Sequence, residues 1–340
     1  MRTALGVSPD DPSERLLSPR ELAGLALEPG WVEQDPANRR VLVVDLEGEA
    51  PAGLGRVCDW LARQPVPVVG FGRGGAAPLR DIVDVRVAGE AELARVLSTI
   101  RHNPTASAVL VQVLRSVGHL EVHEALTLES LAYATLQAGA EFAAWLADRG
   151  EPRAATRPAE KVVLLRREGE RLEIVLNDPG NHNAMSVPMR DALTGAFELV
   201  AMDPEIAAVD VSANGACFSA GGDLAEFGTR SDAAAAHMIR MMRLPSRHLA
   251  AHADRYTFHV HRACIGAGVE LPAFAGRLVA TQNAYFQLPE LRMGLIPGAG
   301  GCVSISRRIG RQRTAYMALT GKRIPARRAL EWGLVDAIEG

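Results

Sequence analysis

The spacing of apolar and polar positions divides the chain into stretches of different period, and each period predicts an element. Val41-Leu42-Val43-Val44-Asp45-Leu46 is a near-unbroken apolar run, as expected of a strand buried on both faces, and Pro67–Phe71 is another, ending at Gly72-Arg73-Gly74-Gly75. Between them Gly53–Arg63 has helical spacing. A strand at Ile82–Val87, a helix at Glu90–His102 and a strand at Ala106–Leu114 extend the alternation, and the Ala-rich Val122–Asp148 reads as one long amphipathic helix. Residues 41–150 are thus predicted to be a small α/β region. Residues 1–40, rich in Pro, Ser and charge with a short helix at Pro19–Leu27, read as an arm.

Residues 151–161 are polar and carry Pro152 and Pro158, which marks a linker before a second unit at 162–340. That unit opens with strands Val162–Arg166 and Leu172–Leu176, turns through Asn177-Asp178-Pro179-Gly180, and continues as helix Ser186–Met202 and strand Ile206–Val211. The order of helix, Asn-Pro or Asp-Pro turn, then strand occurs in both halves, at 90–114 and at 186–211. A degenerate repeat and a chance likeness account for it equally well. None of the chemical motifs of the second half recurs in the first, which is expected to be non-catalytic.

With 340 residues and a net charge of -3, the chain has ample apolar content for a core and no electrostatic footprint for nucleic acid or an anionic membrane. Cys58, Cys217, Cys264 and Cys302 lie too far apart for a zinc site or a disulfide framework. No apolar run has the length of a bilayer span, and residues 1–16 lack a signal-peptide core; a cytoplasmic protein acting on a small molecule is expected.

Three segments carry candidate chemistry. In Phe218-Ser219-Ala220-Gly221-Gly222-Asp223, after a strand, small residues let a backbone N–H approach a ligand oxygen, although a plain turn explains them as well. Gly266-Ala267-Gly268-Val269-Glu270-Leu271 sets a lone carboxylate in an apolar run whose start offers free helix N–H groups. Close helix packing would explain its glycines, but not Glu270. Leu288-Pro289-Glu290-Leu291, leading to Pro297-Gly298-Ala299-Gly300-Gly301, places a second carboxylate in apolar surroundings that should raise its pKa, unless it simply pairs with Arg292 or Arg307.

Taken together, in this order and spacing, the segments from Val162 to the C-terminus resemble the crotonase (enoyl-CoA hydratase/isomerase) superfamily, as does the tail Ala329-Leu330-Glu331-Trp332-Gly333-Leu334-Val335-Asp336. The resemblance implies an α/β fold whose second half is a ββα spiral unit. It implies an oxyanion hole from the N–H groups of Gly222 and Ala267, and Glu270 and Glu290 as the catalytic acid/base pair. It places substrate contacts at His182, Ala184, Ala220, Gly221, Asp223, Gly266 and Gly298. Arg307, Arg308, Arg311 and Arg313 add positive charge for coenzyme A on this reading, or form a solvated helix face. No cofactor is expected; coenzyme A enters as part of the substrate.

The implied activity is hydration of a 2-enoyl-CoA, or the reverse. Isomerisation, hydrolysis, decarboxylation and cofactor-free dioxygenation are the alternatives within the superfamily. An acyl-CoA or acyl-carrier binding subunit, docking a partner protein through its first half, is the alternative outside catalysis. A homo-oligomer, dimer or trimer, is expected. Three departures from the family stand out. About 160 residues precede the crotonase-like unit, and no motif in them names a role. His259-Val260-His261-Arg262 brings basic groups to the segment before the Gly-rich helix. The chain also ends where the family continues into C-terminal helices, so apolar surface near Trp332, Leu334 and Ile338 needs a cover. The helix Val122–Asp148, through Leu126, Leu131, Ala134, Leu136, Phe142 and Leu146, is expected to supply it.

Overall fold

In a computed structural model of the chain, residues 14–27, 40–150, 159–229 and 232–340 are described. Most of the arm at 1–40 and of the linker at 151–161 lies outside them. The first half builds a four-stranded parallel sheet, in spatial order β1 (Leu16–Leu17), β2 (Leu42–Asp45), β3 (Val68–Phe71), β4 (Val85–Val87). Helices α1 (Pro19–Leu25), α2 (Leu54–Ala62) and α3 (Ala77–Ile82) accompany it, followed by α4 (Glu90–His102), α5 (Pro104–Val117), α6 (Val122–Gln137) and α7 (Ala140–Arg149).

The apolar run of β2 is unbroken because its two faces serve different cores. Leu42 and Val44 join Leu22, Val57, Leu61 and Leu79 in a small cluster, whereas Val41, Val43, Val69 and Val85 join the main core, which runs on through the second half. One sheet face is thereby welded to the rest of the molecule.

The sequence-predicted strand Ala106–Leu114 is instead part of helix α5. Its Val and Leu residues suggest a strand, yet Ala106, Leu110, Val113, Leu114 and Val117 are buried at helical spacing, and Thr105, Gln112 and Ser116 mark the exposed face. The helix–turn–strand likeness between the halves disappears with it. The predicted single helix Val122–Asp148 is two, α6 and α7, broken at Ala138-Gly139, where the Gly139 N–H donates to the Leu136 carbonyl.

The second half holds β5 (Val163–Glu168), β6 (Arg171–Leu176), α8 (Val187–Met202), β7 (Ala208–Ala213), α9 (Ala233–Met242), α10 (Pro245–Ala251), β8 (Tyr256–Val260), β9 (Ala263–Ile265), α11 (Ala267–Glu270), β10 (Arg277–Thr281), β11 (Tyr285–Gln287), α12 (Gly301–Ile309), α13 (Arg311–Thr320), β12 (Ile324–Pro325), α14 (Ala326–Trp332) and β13 (Ala337–Glu339). Six strands form one sheet, ordered β13-β10-β8-β7-β6-β5, parallel except for the β5–β6 hairpin. Strands β12-β11-β9 form a small second sheet that leads directly into the Gly-rich segment. This is the α/β architecture expected from the resemblance. No helix among the described residues is long and apolar enough to cross a membrane.

The apolar tail needs no cover from α6. Leu334 and Val335 are buried in the main core and Trp332 packs edge-on against Tyr316, while α6 lies on α5, α9, α10 and α12. The arginines of α12 and α13 are structural pins. Arg307 donates to the Leu120 carbonyl, Arg308 to the Ala273 carbonyl and Asp336, and Arg311 to Asp84 of the first half. Arg313 stacks on Trp332.

Candidate active site

Two glycine-bearing segments meet to build the site. Ser219 bridges Cys264 of β9, and Met185 bridges Gly222, so the loop 219–223 is pinned between the start of α8 and the Gly-rich segment. Gly221 has φ 93°, and a Cβ there would fall 2.7 Å from the Ile265 carbonyl oxygen. Gly268 lets α11 settle on Ser219, since its missing Cβ would lie 2.7 Å from the Ser219 carbonyl oxygen. The N–H groups of Gly222 and Ala267 find no acceptor among the described residues, and both residues line one cavity of about 480 Å³. Free amides converging on a cavity are what a developing oxyanion requires.

Glu270 and Glu290 line the same cavity and are 2 % and 7 % exposed. They approach each other over Gly266, whose Cβ, if present, would sit 2.6 Å from Glu290 Oε1 and 3.8 Å from Glu270 Oε1. Their surroundings differ. Glu270 Oε2 accepts the N–H groups of Ala299 at 2.8 Å and Gly301 at 2.9 Å, whereas Glu290 Oε2 is buried without a partner. Burial pushes the Glu270 carboxyl up to about 7, with those N–H groups restraining the rise. Glu290 is pushed well above the usual range, by burial first and then by the negative charge of Glu270. Both carboxyls thus hold their protons above the usual carboxylate range, and Glu270 alone of the two has backbone N–H groups to stabilise its ionised form. No ion pair joins Glu290 to Arg292 or Arg307 among the described residues.

Of the other predicted contacts, Ala220, Gly221, Asp223, Gly266 and Gly298 line the cavity and His182 and Ala184 do not. His182 is exposed and uses its carbonyl to hold the Ala220 N–H at 3.0 Å, and Ala184 is buried. Their neighbours Met185, on the wall, and Asn183, which ties Asp178 to Cys217, define that side of the site. His259 and His261, expected beside the pocket, are outside its lining; they pair with Asp210 and with the Gly215 carbonyl.

The first half does not stand apart from this chemistry, as the sequence suggested it would. Tyr133 and Gln137 of α6 and Trp145 of α7 form a wall of the cavity. A Cβ on Gly298 would run into the Tyr133 ring. Glu129, one turn before Tyr133, is 1 % exposed and accepts the N–H groups of Gly300 at 2.7 Å and Cys302 at 2.8 Å. It therefore caps α12 and fixes the very loop that holds Glu270. Burial raises the Tyr133 phenol, so it stays a neutral donor.

The second half of the chain is similar to proteins of a known family. Residues 167–339 match the family model described as enoyl-CoA hydratase/isomerase. The chain is 32% identical over 176 residues to the 2,3-dehydroadipyl-CoA hydratase of Escherichia coli, aligning 52% of this chain with 68% of that protein. It is 31% identical over 167 residues to a probable enoyl-CoA hydratase of Mycobacterium leprae, aligning 48% of this chain with 63% of that one. Among solved structures, an enoyl-CoA hydratase from Mycobacterium smegmatis gives a TM-score of 0.49 at 30% identity, over 53% of this chain and 70% of that one. The chain belongs to the enoyl-CoA hydratase/isomerase family, through its second half.

Proposed function

We propose that the protein adds water to a 2-enoyl-CoA thioester, or removes it from the 3-hydroxyacyl product. The observation that carries this reading is the unlike pair of buried carboxylates facing one cavity. The thioester oxygen sits between the Gly222 and Ala267 N–H groups, which take up the charge of the enolate; preorganised donors of this kind contribute roughly 3–4 kcal/mol each. Ionised Glu270 accepts a proton from water as its oxygen bonds to Cβ, and protonated Glu290 delivers a proton to Cα. The added atoms sum to one water, and a later proton shift between the carboxylates restores the starting state. A simple double-bond shift requires one such group, so retention of both favours hydration. The names of the hydratases of Escherichia coli and Mycobacterium leprae point the same way.

The test is to incubate the full chain with a panel of acyl-CoAs and follow mass. Conversion of 2-enoyl-CoAs to products heavier by one water, lost in Glu290→Gln, is the expected result. Release of free CoA, or no change across the panel, would remove the hydratase reading.

A further inference from the structure

Water addition leaves a second cluster in the cavity without a task. Arg190, in the first turn of α8, and Arg240, near the end of α9, both line it. Arg240 donates to the Ser130 carbonyl at 3.3 Å, the Ser130 hydroxyl at 3.2 Å and Gln137 Oε1 at 2.8 Å, and lies 4.3 Å above the Tyr133 ring. All of these partners are neutral. Arg190 Nε is buried with no partner.

The acids on the same wall are committed elsewhere. Asp223 accepts from the Asn181 side chain at 3.1 Å and the Ala225 N–H at 3.0 Å, and Glu226 Oε1 accepts the Val187 N–H at 2.6 Å. No ion pair reaches Arg190 or Arg240 among the described residues. Burial disfavours the Arg240 charge and Arg190 adds repulsion, while Glu129 offsets part of that cost and Glu226 attracts Arg190 without pairing to it.

Contacts tie Arg240 to the cavity wall that carries Glu270. It stacks on Tyr133, Tyr133 covers Gly298, and the adjacent Ala299 N–H holds Glu270. An acyl chain running along this wall away from the thioester would bring an anion at its far end to Arg240, where its charge would offset the remaining desolvation cost. We infer that the site takes acyl-CoA esters whose acyl chain ends in a carboxylate, gripped by Arg190 and Arg240. The inference builds on the reading of the cavity as an acyl-CoA site.

Calorimetric titration of the full chain with matched saturated esters tests it: adipyl- against hexanoyl-CoA and suberyl- against octanoyl-CoA. In at least one pair the dicarboxylic ester should bind at least ~10-fold more tightly, the range of a charge-assisted hydrogen-bonded pair. Arg190→Gln and Arg240→Gln should each cut that ratio at least about threefold. Equal affinity within both pairs overturns the inference, and needs no variant to fold. Variants that weaken free CoA as much as the dicarboxylic ester would assign the arginines to the CoA phosphates and overturn it too. A preserved preference without hydration of the matching enoyl esters would leave this inference standing and sink the hydratase reading alone.

Discussion

Glu290 is kept where a carboxyl group is costly, buried with one oxygen unpaired, and that cost ties activity to stability at a single residue. Glu290→Gln should lower turnover by at least ~10²-fold while CoA-ester affinity stays similar, as steady-state kinetics and titration would show. Glu270→Ala should abolish hydration. On the proposed mechanism Glu270 acts ionised, so kcat/KM should rise with pH through about 7 and then level, until Glu290 loses its proton. Stability should move in the opposite direction. Folded Glu270 and Glu290 hold protons more tightly than the unfolded chain does, so their favourable contribution is complete below the ordinary glutamate range and is lost as pH rises through the folded values. The melting temperature should therefore fall between pH 5 and 8, and Glu290→Gln should flatten that fall. A melting temperature that rises over this window would contradict the assignment.

Among the elements, α6 is the one the sequence conceals. Glu129, Tyr133 and Gln137 recur at i, i+4 and i+8, a polar stripe that looks like a solvated face. It is turned instead towards the Gly298–Cys302 loop, the cavity and Arg240. The apolar face read from the sequence is only partly right, since Leu126, Ala134, Leu136 and Phe142 are buried but Leu131 is 49% exposed. The Gly-rich motifs were legible because each glycine answers a local steric demand. A stripe that owes its meaning to a partner more than a hundred residues away offers no such local sign. Glu129→Ala should orphan two buried N–H groups, costing roughly 1–3 kcal/mol for each group left unsatisfied, and lower turnover by loosening the loop that holds Glu270. Urea melts and kinetics on the same variant would show both effects together. An unchanged midpoint would mean the cap contributes nothing.

For the whole molecule, the sequence showed two α/β halves, whereas their interdependence arises only in the fold. The same β2 run that reads simply as a buried strand sends alternate residues into two cores, one of them shared with the second half. Residues 160–340 expressed alone should thus expose that shared core and lack the Tyr133, Gln137 and Trp145 wall. They are expected to melt without cooperativity and to show no hydration. A soluble, active fragment melting like the parent would make the first half an appendage.

Oxygen-18 reports whether both halves close a cavity in which two carboxylates add water across a 2-enoyl-CoA. The full chain is incubated with 2-enoyl-CoA in oxygen-18 water, and the thioester is read intact by mass spectrometry. Each product molecule should carry one labelled water with coenzyme A still attached, and the signal should disappear in Glu290→Gln. Label in a free acid with coenzyme A released, or an unshifted mass with a displaced double bond, would contradict it.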